Sequence, residues 1–148
     1  MSGGLNGAIA VGTKLMKLEL LKETFAIARL PSQSSVPGWA DGGGELVSIT
    51  RTRDELSIVC PDARVPMQVK AERSWKAFKV QGPLDFSMIG ILSHLSSILA
   101  QAEISLFALS TFDTDYLLVK RDQASQAANA LRDAGHEILG DSIVGTSN

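Results

Sequence analysis

The sequence predicts an α+β fold built from two successive βαββαβ modules, of which the first is degenerate. Three observations support this: an apolar segment of period two starts at Trp75, two segments with helical periodicity follow it, and part of the pattern recurs earlier in the chain. With right-handed crossovers, a βαββαβ order gives an antiparallel sheet with both helices on one face.

The second module opens with a predicted strand over residues 75–80, where apolar and polar side chains alternate. A Gly-Pro pair at residues 82–83 ends the strand, and Asp85 or Ser87 is suited to cap a helix that extends through Ala102. The apolar residues of this helix fall at helical spacing and predict one buried stripe. They are Met88, Ile91, Leu92, Leu95, Ile98, Leu99 and Ala102.

A hairpin and a second helix complete this module. Residues 104–109 and 116–120 predict two strands, and residues 110–115 between them are rich in Ser, Thr and Asp, as suits a turn. A second helix, capped by Asp122, precedes a last strand over residues 137–144.

The first half of the chain is predicted to be a degraded copy of the second. Residues 49–59 align with residues 109–119 at an offset of 60, with similar or identical residues at five positions. The crossover of the first half contains two prolines and the glycines 42–44, which rule out a long helix there. The expected organisation is a flexible N-terminal extension over residues 1–15, a degenerate module over 16–72 and a second module over 73–148.

Composition excludes several classes of function. The formal net charge is −2 and the 14 basic residues are scattered, so we expect neither nucleic acid nor an anionic membrane as a partner. Cys60 is the single cysteine and cannot form an internal disulfide, and no Cys/His grouping has the spacing of a zinc site. The N-terminal residues lack the features of an export signal. A cytoplasmic location without metal or cofactor is expected.

Isolated polar residues favour structural interpretations over chemical ones. His94 and His136 are 42 residues apart and fit no catalytic or metal-binding motif, so both are expected to be surface histidines. Asp113 and Asp115 are interpreted as turn residues rather than cation ligands. The residues alone leave open whether the loop 82–90 and the turn 110–115 form a binding site or ordinary turns.

Residues 82–87 with the following 90–92, and residues 110–119, resemble the ACT domain family, specifically the tandem ACT-type proteins that include cytosolic amino-acid (arginine) sensors. The resemblance extends over residues 18–144. It implies ferredoxin-like modules that bind an amino acid or a related small metabolite and regulate without catalysis. Ile89 departs from the family, which often has proline there.

The resemblance implies a ligand site between the start of the first helix and the hairpin turn. Backbone amides near the helix start hold the α-carboxylate through the helix dipole, and Asp115, with Asp85 as a weaker alternative, receives the ammonium. The implied ligand-binding residues are Asp85, Met88, Ile89, Gly90, Ile91, Ser110, Thr111, Phe112, Thr114 and Asp115.

Two other functions remain open from the sequence. The chain could be an interaction or dimerisation module that has lost ligand binding, or a transferase-type enzyme that uses Asp115 or His94 as a base. The enzyme is disfavoured because no positioned nucleophile and base occur together. The uncharged helix face with His94, Ser97 and Gln101 suggests a packing surface and a homodimer, and any regulated protein must be a separate, unidentified partner.

Overall fold

The computed structural model describes residues 15–81 and 90–140. These ranges have the α+β composition that the sequence predicts. The strands are β1 (Lys17–Leu20), β2 (Phe25–Leu30), β3 (Ser48–Arg51), β4 (Leu56–Pro61), β5 (Ala71–Val80), β6 (Leu106–Ser110), β7 (Asp115–Lys120) and β8 (Glu137–Leu139), and the helices are α1 (Ile91–Gln101) and α2 (Ala124–Asp133).

The chain divides into two compact units. The large unit comprises Met1–Leu20 and Phe78–Asn148, and the small unit comprises Leu21–Ala77, so that β5 contributes residues to both. The units differ from the sequence-based division at residue 72, because β1 belongs with the later elements rather than with the first module. No helix in the described ranges is long and apolar enough to cross a membrane.

The strands of the large unit lie in the order β8-β1-β5-β7-β6. The elements from β5 to β8 follow the predicted order βαββαβ. The sequence did not predict that β1 would lie between β5 and β8. Strand β1 runs antiparallel to β5, with Leu18 opposite Val80, and parallel to β8, with Leu18 opposite Ile138. The sheet therefore contains a parallel pair within a predominantly antiparallel arrangement.

The two helices of the large unit share one hydrophobic core. Helix α1 buries Ile91, Leu95 and Leu99, with Leu92, Ile98 and Ala102 packed at the margin, and this confirms the predicted stripe except for Met88, which lies outside the described residues. Helix α2 contributes mainly small side chains, since three of its four buried residues are alanines. Small side chains allow the backbone of α2 to pack closely.

The small unit has the strand order β3-β4-β2-β5. Its core contains Leu56, Ile58 and Cys60 of β4. Residues 31–47, all described, contain a short 3-10 turn at Gly38–Asp41 and no α-helix, in agreement with the prolines and glycines there. The half-buried alternation predicted for residues 75–80 is wrong at Lys76, which is buried and whose ammonium donates to the Lys22 carbonyl at 2.8 Å.

The hairpins of the two units are alike, but the predicted offset of 60 is wrong by one residue. The last paired residues are Arg51 and Leu56 in the small unit and Ser110 and Asp115 in the large unit, which corresponds to an offset of 59. The hydrogen bonds within the two turns show the same offset. The Thr52 N–H donates to the Glu55 carbonyl in the small unit, and the Thr111 N–H donates to the Thr114 carbonyl in the large unit. A shift of one residue exchanges the two faces of a strand.

The core of the large unit gives a first prediction. Replacing the fully buried Leu99 by alanine should lower the free energy of unfolding by about 2 to 5 kcal/mol, because the change removes apolar contacts and leaves a cavity. Ser97→Ala, on the exposed face of the same helix, should change it by less than about 0.5 kcal/mol. Urea unfolding measures both, and equal effects would contradict the packing of α1.

Candidate functional site

One edge of the large unit brings together the ends of several elements. Strand β5 ends there at Val80, β7 begins there, and the Thr114 hydroxyl donates to the Val80 carbonyl. The hairpin turn therefore contacts the chain at the point from which residues 82–89 lead to α1. Among the predicted site residues, Asp85, Met88 and Ile89 lie outside the described residues.

Thr111 and Thr114 hold the shape of the turn. The backbone N–H of Thr111 donates to the Thr114 carbonyl at 2.8 Å. The Thr111 hydroxyl accepts from the Thr114 N–H and donates to the Thr114 carbonyl, both at 3.3 Å. Thr114 is only 6% exposed. Both hydroxyls are thus engaged within the protein, where they hold the hairpin turn in place.

Ser110, Phe112 and Asp115 present the functional groups of the hairpin. The Ser110 hydroxyl donates to Oδ1 of Asp115 at 2.5 Å and so fixes the orientation of the carboxylate. Asp115 is half-buried and forms no ion pair with any described residue. The Phe112 side chain, at the tip, is 82% exposed. The hairpin thus offers an oriented negative charge beside an apolar surface.

Helix α1 has a glycine at its N-cap. Gly90 has φ of 85°, in the left-handed region that favours glycine. Among the described residues no side chain caps the helix, and its first turn contains no acidic residue. The first N–H groups of a helix have no partner within it and carry a partial positive charge. Ile91 is buried in the core, so its contribution to a site is its backbone N–H.

The prediction that both histidines lie on the surface is wrong. His136 is 3% exposed, and its Nδ1 accepts the backbone N–H of Met16 at 3.0 Å. Its Nε2 lies 3.1 Å from Nε2 of His94, which is half-buried on α1. Burial, followed by repulsion from His94, lowers the pKa of His136. No local sequence pattern signals this pair, because its members lie on different elements.

The surroundings of Cys60 and of the two aspartates at the hairpin turn favour structural roles for these residues. Cys60 is buried, and this burial raises the pKa of its thiol, so the reactive thiolate is disfavoured. The described residues contain no group of three or more His, Cys, Asp or Glu side chains that could hold a metal ion. Asp113 and Asp115 flank the end of the turn, one on either side of Thr114.

The turn gives a second prediction. Thr114→Val keeps the shape of the side chain but leaves the Val80 carbonyl without its hydroxyl donor, and it should destabilise the protein by about 1 to 3 kcal/mol. Thr50→Val, at an exposed position on β3, should change stability by less than about 0.5 kcal/mol. Chemical denaturation measures both, and a Thr114 variant as stable as the control would contradict the anchoring contact.

Models of known protein families match both the later and the earlier part of the chain. A family model described as the ACT domain matches residues 70–133, and a second model, described as an N-terminal domain, matches residues 23–68. A solved Agobacterium tumefaciens protein is 45% identical, with a TM-score of 0.80, over 85% of this chain and 93% of that chain.

Two more distant structures share the fold. A Vibrio cholerae protein described as of unknown function and as a possible transport protein is 15% identical, with a TM-score of 0.69, over 86% of this chain and 96% of its own. The ligand-free regulatory subunit of aspartate kinase from Thermus thermophilus is 8% identical, with a TM-score of 0.55, over 78% of this chain and 94% of its own.

Proposed function

The chain belongs to the ACT domain family, and from that premise we propose that it is a regulatory module that binds an α-amino acid in its large unit and performs no chemistry on it. The observation that carries the proposal is that this unit presents two groups of opposite charge, which we assign to the two charged groups of one ligand. The start of α1, whose N-cap residue is a glycine, offers positive charge, and Asp115 offers negative charge.

An α-amino acid fits this arrangement because it carries a carboxylate and an ammonium group on the same carbon. The N–H groups that follow Gly90 suit the carboxylate through the positive end of the helix dipole. Asp115 suits the ammonium, or a basic side chain, through charge-assisted hydrogen bonds. Phe112 covers the apolar part of the ligand, and Ser110 keeps the carboxylate of Asp115 oriented.

The remaining predicted residues complete the proposed site. Asp85, Met88 and Ile89 belong to the segment of sequence that joins β5 to α1. We propose Asp85 as an alternative to Asp115 for the ligand ammonium, and the backbone amides of Met88 and Ile89 for the ligand carboxylate. Thr111 and Thr114 act indirectly, since their hydroxyls are bonded within the turn and to Val80.

A regulatory role is favoured over a catalytic one. Ser110 does donate to a carboxylate, but within the described residues neither histidine contacts a hydroxyl or a thiol, so no activated nucleophile is assembled. The similarity to a regulatory subunit of aspartate kinase supports the same view. We further propose a homodimer in the cytoplasm that acts on a separate protein. A ligand regulates such an assembly only through its different affinities for two states.

The ligand site gives a third prediction. Thermal unfolding with each of the twenty amino acids should identify one that raises the Tm by roughly 5 to 10 °C at 100 times its Kd, because binding then contributes about 2.7 kcal/mol. Asp115→Asn should abolish the shift, since it removes the charge that receives the ammonium. Asp113→Asn, a matched change two residues away, should preserve it.

The outcomes distinguish the competing functions. If no amino acid raises the Tm while the protein remains a stable dimer, the interaction module replaces the ligand-binding module. If Asp113→Asn and Asp115→Asn weaken binding equally, the ligand does not contact Asp115 directly. Conversion of an amino acid by the wild type, lost in Asp115→Asn, would overturn the non-catalytic assignment.

A further inference from the structure

We propose that His94 and His136 form an acid-sensitive latch that ties β1 and β8 to the first turn of α1 in the large unit. The latch is the hydrogen-bonded series of the Met16 N–H, the His136 ring and the His94 ring. The latch requires no bound ligand, so the proposal does not rest on the proposed function.

The hydrogen bonds fix the proton positions in both rings. Because the Met16 N–H donates to Nδ1 of His136, that nitrogen carries a lone pair, and the proton of the neutral ring lies on Nε2. This Nε2–H donates to Nε2 of His94, which must be unprotonated in turn. The latch is thus closed only when both rings are neutral, with the His94 proton on Nδ1.

Protonation of either ring disrupts the hydrogen bonds of the latch. A second proton on His136 turns its Nδ1 into a donor that faces the Met16 N–H. A second proton on His94 places a donor at Nε2, facing the Nε2–H of His136. Each case sets two donors against one another and adds a positive charge to a site that is largely shielded from water.

The surroundings do not compensate this charge. Helix α1 carries no charged side chain apart from His94. The charged side chains on the other elements packed against the pair are Lys17 and Glu19 on β1, Arg132 and Asp133 on α2, and Glu137 on β8. Lys17, Asp133 and Glu137 are exposed, and in the described residues neither histidine ring has an ion pair.

The sign of the pH dependence follows from the direction of the shift. The pKa of His136 is lowered, first by burial and then by His94. The unfolded chain, with an ordinary histidine pKa of about 6.5, therefore binds protons more readily than the folded one. The contribution of the pair to stability is complete above that pH, and it is lost as the pH falls through the folded pKa.

The wild-type protein tests the latch without any substitution. The chain has two histidines, so their NMR signals report on this pair alone. As the pH falls below the ordinary histidine value of about 6.5 and through the lowered folded pKa of His136, the Met16 amide should lose protection from hydrogen exchange. Ile58 on β4 of the small unit serves as the internal reference and should keep its protection. Equal behaviour of the two amides, after correction for intrinsic exchange, would overturn the proposal.

Two variants separate an acid-sensitive latch from simple packing. His136→Asn places an amide oxygen where Nδ1 of His136 accepts the Met16 N–H. Because the Asn side chain does not titrate, the loss of Met16 protection in acid should disappear, whether or not the variant is less stable overall. His94→Gln removes the repulsive charge, so the pKa of His136 should rise and yet stay below the ordinary value because of burial. An unchanged acid response in His136→Asn, or an unchanged His136 pKa in His94→Gln, would refute the latch.

Discussion

The placement of β1 between β5 and β8 is the constraint on which the large unit depends. Among the described residues, β1 is the only strand that pairs with β8. The start of β1 also holds two neighbouring segments. The Gln81 N–H donates to the Lys17 carbonyl at 2.8 Å, and the Glu137 N–H donates to the carbonyl of Met16, which directly precedes β1, at 3.0 Å. The segment that leaves β5 and the segment that enters β8 are therefore both positioned by the start of β1. Residues far from the site in sequence thus determine its geometry.

The correspondence between the two hairpins explains why the proposed ligand site is assigned to the large unit and not to the small one. At the offset of 59, Leu56 takes the place of Asp115 and Arg51 the place of Ser110. Leu56 is fully buried and belongs to the core of the small unit. The small unit also has no α-helix in the crossover before its hairpin, and it therefore has no helix dipole to receive a carboxylate. The same arrangement of strands thus carries the proposed site in the large unit and a hairpin with a buried leucine at the corresponding position in the small unit.

Local sequence patterns predicted helices and strands, but they did not indicate which residues distant in sequence pair or make contact. The stripe of α1 is confirmed because helical periodicity follows directly from which face is buried. Residues 17–20 alternate as a strand should, but nothing in them indicates partners more than 50 residues away. The burial of Lys76 depends on a carbonyl 54 residues distant, and the histidine contact spans 42 residues. For the candidate site, the hairpin residues were proposed from the family resemblance, and their residue types alone did not indicate that the hydroxyls of Thr111 and Thr114 are engaged in hydrogen bonds within the protein.

The first turn of α1 joins the histidine latch to the proposed ligand site. The His94 N–H donates to the Gly90 carbonyl at 2.8 Å, while the His94 ring contacts His136. A carboxylate bound near Gly90 and a proton taken up by the histidine pair therefore act on the same turn of helix. Any preference of the ligand for one protonation state of the pair must be matched by an equal effect of protonation on ligand affinity, because coupling between two binding events is reciprocal. Such coupling requires that the ligand bind the two protonation states of the histidine pair with different affinities, however tightly it binds either of them.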